Sequence, residues 1–217
     1  MKFFIDTAKL EDIVEANDMG ILDGVTTNPS LMAKEGITDV RTHYLRICEV
    51  VDGDVSAEVI STTYQEMVAE GRDLATIHPN ITVKVPMIKE GVKAIKTLAS
   101  EGIKINCTLI FNVAQAVVAA KAGAKYVSPF IGRLDDIGQE GMELIRDIRL
   151  TFDNYDIETN ILAASIRHNQ HLYACMLAGA DVATMPFKVI DSMIKHPLTD
   201  RGLEKFLADY QALREKA

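Results

Sequence analysis

The chain has 217 residues, 48% of them apolar and 25% charged, with a formal net charge of -8. That length buries one large core but is short for two independent domains, so a single domain over residues 1–217 is expected. The acidic balance and the lack of any basic run exclude a general nucleic-acid or acidic-membrane binder, leaving room for a small polyanion held by a local Arg or Lys cluster. No apolar run approaches the roughly 20 residues that cross a bilayer, and Phe3 to Ile5 is interrupted by Asp6 too early for a cleaved signal. Cys48, Cys107 and Cys175 are far apart in apolar segments. They read as reduced core thiols rather than a disulfide framework or a zinc site, which points to the cytoplasm.

Short β-branched runs recur along the chain at Lys2–Asp6, Gly24–Asn28, Val55–Ile60, Thr82–Pro86, Ile103–Ile110, Tyr126–Phe130, Ile161–Ser165 and Val182–Pro186. Each has the length of a buried strand. Segments with helical spacing lie between them, such as Leu10, Ile13 and Val14, or Met67, Leu74 and Ala75, or Val92, Ile95, Leu98 and Ala99. Apolar strands alternating with helices predict parallel strands joined by crossover helices, a (β/α)8 TIM barrel. The competing doubly wound open sheet lacks its GxGxxG fingerprint after the first strand. Beyond the break at Pro197, Leu203, Phe206, Leu207, Tyr210 and Leu213 form an apolar stripe on an additional terminal helix over residues 199–216. That helix either caps its own barrel or packs on a neighbouring subunit.

Active sites of such barrels collect at the carboxyl ends of the strands. Lys84 sits in Thr82-Val83-Lys84-Val85-Pro86, between valines that must be buried in a strand. Lysines are almost never buried without reason, and a desolvated amine attacks carbonyls; on a partly solvated edge strand, the stem instead reaches the surface. Asp6 closes the first strand and Asn28 the second. Asp6 suits a cap for the helix after it and Asn28-Pro29 a turn, so taken singly each reads as capping rather than catalysis. Glu58 is a carboxylate within an apolar strand, and Asn106 and Thr108 share one strand face, pointing toward Lys84 if that face is the interior. Arg133 and Arg167 follow the sixth and seventh strands. Each alone reads as a solvated side chain, but the two together form a fork for a phosphate.

The histidines show no HExxH pattern, and no metal is expected. His168 and His171 are three residues apart, with no carboxylate in register, and are expected as surface helix residues. GxSxG and GxxxxGK[ST] are absent, which removes support for acyl transfer and nucleotide hydrolysis.

Six strings, Phe4-Ile5-Asp6-Thr7-Ala8, Gly24-Val25-Thr26-Thr27-Asn28-Pro29-Ser30, Val83-Lys84-Val85-Pro86, Ile105-Asn106-Cys107-Thr108, Ser128-Pro129-Phe130-Ile131-Gly132-Arg133 and Ala164-Ser165-Ile166-Arg167, fall one per candidate strand. In this order, the chain resembles the transaldolase family, in its short bacterial and archaeal branch that includes the fructose-6-phosphate aldolases. The resemblance implies a Schiff base on Lys84 with a ketose, Asp6 as the acid and base at the bond cleaved, and Glu58 and Thr108 moving protons through a water. It implies that Asn28 and Asn106 hold sugar hydroxyls, and that Arg133 and Arg167, helped by Ser128 and Ser165, hold a phosphate. No cofactor is implied. Fructose-6-phosphate aldolases of the branch carry Tyr where this chain has Phe130, and Gln where it has Glu58. The resemblance is therefore to the transaldolase type, which serves the pentose phosphate pathway, with release of free dihydroxyacetone as the alternative. The terminal helix resembles one that short-branch proteins lay on an adjacent subunit, implying a homo-oligomer, a pentamer or a decamer. A phosphosugar-binding barrel without catalysis is the reading from another class.

Overall fold

Parity along the strands divides the side chains between two environments. In the computed structural model, which describes residues 1–215, Ile5, Val25, Val55, Val83, Val85, Ile105 and Val127 join helix residues such as Ile13, Ile47, Leu98 and Ile145 in the main core between sheet and helices. The alternate positions turn inward. Phe4, Tyr126, Leu162 and Val182 make a second, small apolar cluster inside the ring of strands.

The order of elements is strictly alternating in its β component. β1 (Lys2–Asp6) leads to α1 (Leu10–Asp18), β2 (Gly24–Thr26) to α2 (Pro29–Lys34) and α3 (Val40–Val50), β3 (Asp54–Glu58) to α4 (Tyr64–Ala75), and β4 (Ile81–Pro86) to α5 (Lys89–Ser100). β5 (Ile105–Ile110) leads to α6 (Val113–Ala122), β6 (Tyr126–Pro129) to α7 (Ile131–Asp135) and α8 (Gly141–Asn154), β7 (Asn160–Ala163) to α9 (Asn169–Ala178), and β8 (Val182–Met185) to α10 (Phe187–Met193) and α11 (Pro197–Arg214). The strands pair in parallel in sequence order, and β8 returns to β1, closing the barrel. This is the (β/α)8 fold that the alternation predicts. β2 is shorter than expected, because Asn28 leaves the strand to cap α2 and Pro29 starts that helix.

At the amino end of the barrel, one carboxylate gathers three donors. Asp54 accepts hydrogen bonds from Lys104 Nζ at 2.6 Å, Lys125 Nζ at 2.5 Å and the Tyr126 hydroxyl at 2.7 Å. Burial works against its charge, yet these donors hold the carboxyl below its ordinary range. The Tyr126 ring meets Phe4 edge-on at 6.0 Å. Gly24 makes room for Phe4, since a Cβ there would lie 2.6 Å from its ring. With the floor filled, the interior opens only toward the carboxyl ends.

α11 stands largely free of the barrel. His196 caps it through Nδ1, Pro197 occupies its first turn, and none of its residues is buried. Leu203, Phe206, Leu207, Tyr210 and Leu213 are 56–71% exposed. It does not cap its own barrel; the stripe has too little contact with the barrel to be covered by it. Residue 216 of the expected range lies outside the described residues. Among the described residues, no helix is long and apolar enough to cross a membrane.

Candidate active site

Strand register sets the polar side chains side by side. Glu58 of β3 pairs with Lys84 of β4, which pairs with Asn106 of β5. Val83 and Val85 go outward into the core, so Lys84 points into the ring and is 5% exposed. β4 has neighbours on both sides, which removes the edge-strand reading. Lys84 Nζ donates to the Thr27 carbonyl at 2.8 Å and lies 3.1 Å from Glu58 Oε2. The first contact is an aligned hydrogen bond, whereas Glu58 Oε2 has no aligned donor among the described residues. An unpaired ammonium in such a place costs several kcal/mol. The carboxylate offsets this cost and offers a nearby base to take the proton that the amine must lose before it attacks.

Asp6 ends β1 across the ring. The N-cap position of the helix after it is Lys9, with no side-chain cap, so Asp6 is not a cap. Its Oδ1 accepts from Thr26 Oγ1 at 2.7 Å, and Thr26 Oγ1 is 2.6 Å from Thr184 Oγ1. Because Thr26 gives its only hydroxyl proton to Asp6, Thr184 is the donor to Thr26. Burial pushes the Asp6 carboxyl above its ordinary value, against the lowering pull of the Lys84 charge and the Thr26 hydrogen bond. A carboxyl raised in this way exchanges protons more readily near neutrality.

On the opposite wall, Asn106 is locked in place. Its Nδ2 donates to Ser56 Oγ at 3.1 Å, and its Oδ1 accepts from Ser128 Oγ at 2.6 Å. Thr108 is buried with a hydroxyl that has no partner within the described chain, and it lines the same cavity. A register shift between Cys107 and Ile110, with Leu109 at φ 61°, marks a bulge directly after it. Asn28 does both of the things its sequence suggests. It caps α2 by accepting from Leu31 N at 2.9 Å, and it lines the cavity.

The cavity has a volume of about 110 Å³ and is walled by Asp6, Thr26, Asn28, Lys84, Asn106, Thr108, Ser128, Phe130, Arg133, Ala164, Ser165 and Thr184. Arg133 stacks over the Phe130 ring at 5.0 Å, which holds its guanidinium near the rim. Ser165 adopts φ 58°, a costly conformation for a serine. Gly132 N donates to its carbonyl at 3.2 Å. That approach needs glycine, because a Cβ on Gly132 would sit 2.4 Å from the Ser165 oxygen.

Two of the sequence-derived residues lie off the wall. Glu58 touches the site through Lys84, and Arg167 is bound through its guanidinium to both oxygens of Asp136, with its side chain 46% exposed. The fork of two arginines is therefore not formed here: Arg133 reaches the cavity, and Arg167 is held beside it. The histidine pair also differs from expectation. His168 caps α9, its ring is 3.8 Å from that of His171, and His171 Nε2 meets Asp135 Oδ2 at 3.0 Å. The carboxylate missing from the local sequence comes from α7. Sequence reasoning passed over Thr26, Thr184 and Ala164. Thr184 carried a usable signal, a polar residue of inward parity in an otherwise apolar strand.

The Transaldolase/Fructose-6-phosphate aldolase family matches residues 3–217. This chain belongs to that family. Among curated members similar to it, the probable transaldolase of Porphyromonas gingivalis is 62% identical over 218 residues, covering 99% of each chain. That of Parabacteroides distasonis is 63% identical over 214 residues, covering 97% of this chain and 98% of the relative. That of Bacteroides fragilis is 58% identical over 218 residues, covering 99% of this chain and 100% of the relative. A designed cube-shaped, highly porous protein cage contains a chain alike in fold alone, at a TM-score of 0.64 and 11% identity, covering 99% of this chain and 78% of that one. Within this Transaldolase/Fructose-6-phosphate aldolase member, the Asp6 environment makes a direct prediction. Replacing Thr26 by Val removes the donor that favours the carboxylate, so the Asp6 titration midpoint, followed by carbon-13 NMR of the carboxyl, moves to higher pH. An unchanged or lower midpoint contradicts the assigned hydrogen bond.

Proposed function

We propose that this protein is a transaldolase, moving a dihydroxyacetone unit between phosphosugars through an imine on Lys84. The observation that carries the reading is the placement of a buried lysine amine 3.1 Å from a carboxylate, in one cavity with a second carboxyl and an arginine. A purely phosphate-binding lysine does not need burial inside the ring of strands, and Arg133 at the rim already supplies a cation for that purpose.

In this mechanism, the Lys84 amine adds to the ketose carbonyl at C2, and loss of water leaves a protonated imine. Glu58 and the unpartnered Thr108 hydroxyl pass protons through a water in that step. Asp6 takes the proton of the C4 hydroxyl, the C3–C4 bond breaks, its electron pair flows to the iminium to form an enamine, and the aldose leaves. The enamine carbon then attacks the acceptor aldehyde, and Asp6 returns a proton to the new alkoxide. Addition of water to the imine and release of the new ketose restore Lys84. Asn28 and Asn106 face the hydroxyls of the three-carbon unit, Arg133 with Ser165 receives the phosphate, and Ser128, whose hydroxyl proton goes to Asn106, helps by steadying that amide. Arg167 supports that end from its pairing with Asp136. Transfer of the enamine rather than its protonation is favoured by Phe130, which offers neither donor nor acceptor at the cavity wall. The names of the relatives support the same choice. Sedoheptulose 7-phosphate and glyceraldehyde 3-phosphate, giving erythrose 4-phosphate and fructose 6-phosphate, are the substrates proposed, in the pentose phosphate pathway of the cytoplasm.

Product analysis with fructose 6-phosphate tests this reading. Sedoheptulose 7-phosphate should form only when erythrose 4-phosphate is present, and Phe130→Tyr should increase acceptor-independent release of dihydroxyacetone. Free dihydroxyacetone from the wild type at a comparable rate without acceptor would make it an aldolase.

The uncovered stripe of α11 supports a homo-oligomer in which this helix lies on a neighbouring subunit, and the family resemblance implies a pentamer or decamer. An apolar face of this kind left in water favours association. Removing residues 197–217 should lower the mass measured by light scattering to that of a smaller assembly; an unchanged mass excludes α11 from the interface.

A further inference from the structure

Tyr44 lies on α3, outside the ring of strands and off the cavity wall, yet its hydroxyl ends beside the two groups that hold Lys84. The residue is 2% exposed. Its oxygen accepts from the Glu58 backbone N–H at 3.3 Å and is 3.0 Å from Thr27 Oγ1. Thr27 Oγ1 in turn donates to the Ser56 carbonyl at 3.2 Å. Since Thr27 spends its single hydroxyl proton on Ser56, Tyr44 donates to Thr27. The chain of donors therefore runs one way, from Glu58 N–H to Tyr44, from Tyr44 to Thr27, and from Thr27 to the Ser56 carbonyl.

Its location gives the loop its meaning. Pairing between β2 and β3 stops at Thr26 and Ser56. Past that point, the Glu58 N–H turns to Tyr44, and the Thr27 carbonyl turns to Lys84 Nζ at 2.8 Å. One phenol thus bridges the ends of two strands after their own ladder has ended, and those ends carry the acceptor and the carboxylate that flank the amine. Filling the core needs only the ring. The hydroxyl adds a buried donor and acceptor that must both be matched, and here both are matched by the backbone and side chain next to Lys84.

We infer that Tyr44 is a positioning residue for the Lys84 amine, acting through Thr27 and Glu58 and touching no substrate. This rests on the imine chemistry proposed for Lys84. Removing the hydroxyl frees the Thr27 carbonyl and the Glu58 carboxylate to shift. The amine then loses its alignment toward an incoming carbonyl, while the phosphate end of the site is untouched.

The experiment is a borohydride-quenched time course of imine formation with fructose 6-phosphate, run beside steady-state kinetics and thermal unfolding. Wild-type protein is measured first. If it traps no imine, the reading of Lys84 itself fails, and the role of Tyr44 falls with it. Given wild-type trapping, Tyr44→Phe should slow imine formation and lower kcat by about tenfold, the scale of losses from outer-shell positioning groups, with KM changed by less than about twofold. Thr27→Val breaks the same link from its other side and should give a loss of similar size, which Thr27→Ser largely restores. The double variant should lose no more than the larger single loss, because both changes cut one chain. Wild-type trapping rates in Tyr44→Phe, even with lowered thermal stability, would assign the hydroxyl to stability alone and overturn the inference. Losses that multiply in the double variant, or a KM that rises in step with the fall in kcat, would overturn it as well.

Discussion

An amine that is to attack a carbonyl must be kept out of water and still be held in a defined direction, and the arrangement around Lys84 meets both demands. Inside a closed ring, β4 has partners on each side, so the lysine stem has no route to the surface. Burial removes competing water but penalises the ammonium, and Glu58 at 3.1 Å limits that penalty. The Thr27 carbonyl supplies direction, since its hydrogen bond at 2.8 Å is the aligned one. Charge compensation and orientation are thus assigned to different groups, Glu58 at the end of β3 and Thr27 just past β2.

The rest of the barrel is arranged around this interior. Apolar side chains fill its floor, Asp54 ties three donors together beneath them, and polar side chains take over toward the carboxyl ends. Two local irregularities lie at the same end, while a third, Asp156 at φ 49°, precedes β7 at the other. Leu109 at φ 61° follows Thr108, and Ser165 at φ 58° follows β7. Such conformations cost about 1–3 kcal/mol each and persist only where surrounding contacts over-determine them; at Ser165 the close approach of Gly132 is one such contact. Stability is spent at the rim to place side chains that a regular strand end would send elsewhere.

Much of this was legible from spacing alone, and the physical reason is that parity in a strand survives any change in the surroundings. Val83 and Val85 fix Lys84 inward, and Asn106 and Thr108 follow by the same alternation. What spacing does not carry is the partner chosen across the fold. Arg167 reads as one tine of a phosphate fork until Asp136, brought close by the turn after α7, is seen to occupy its guanidinium. The pairing of His171 with Asp135 has the same origin. The sequence does not single out Tyr44, because nothing near it in the chain reveals that Thr27 and Glu58 meet its hydroxyl. The α11 stripe gives the helix but not its cover, and the fold then excludes its own barrel as that cover.

The most direct measurement is peptide mapping by mass spectrometry after borohydride reduction in the presence of fructose 6-phosphate. An imine formed by the buried amine predicts added mass on the peptide that contains Lys84 and on no other lysine. Mass on a different lysine, or none under conditions in which the protein turns over its substrate, would contradict the central role given to Lys84.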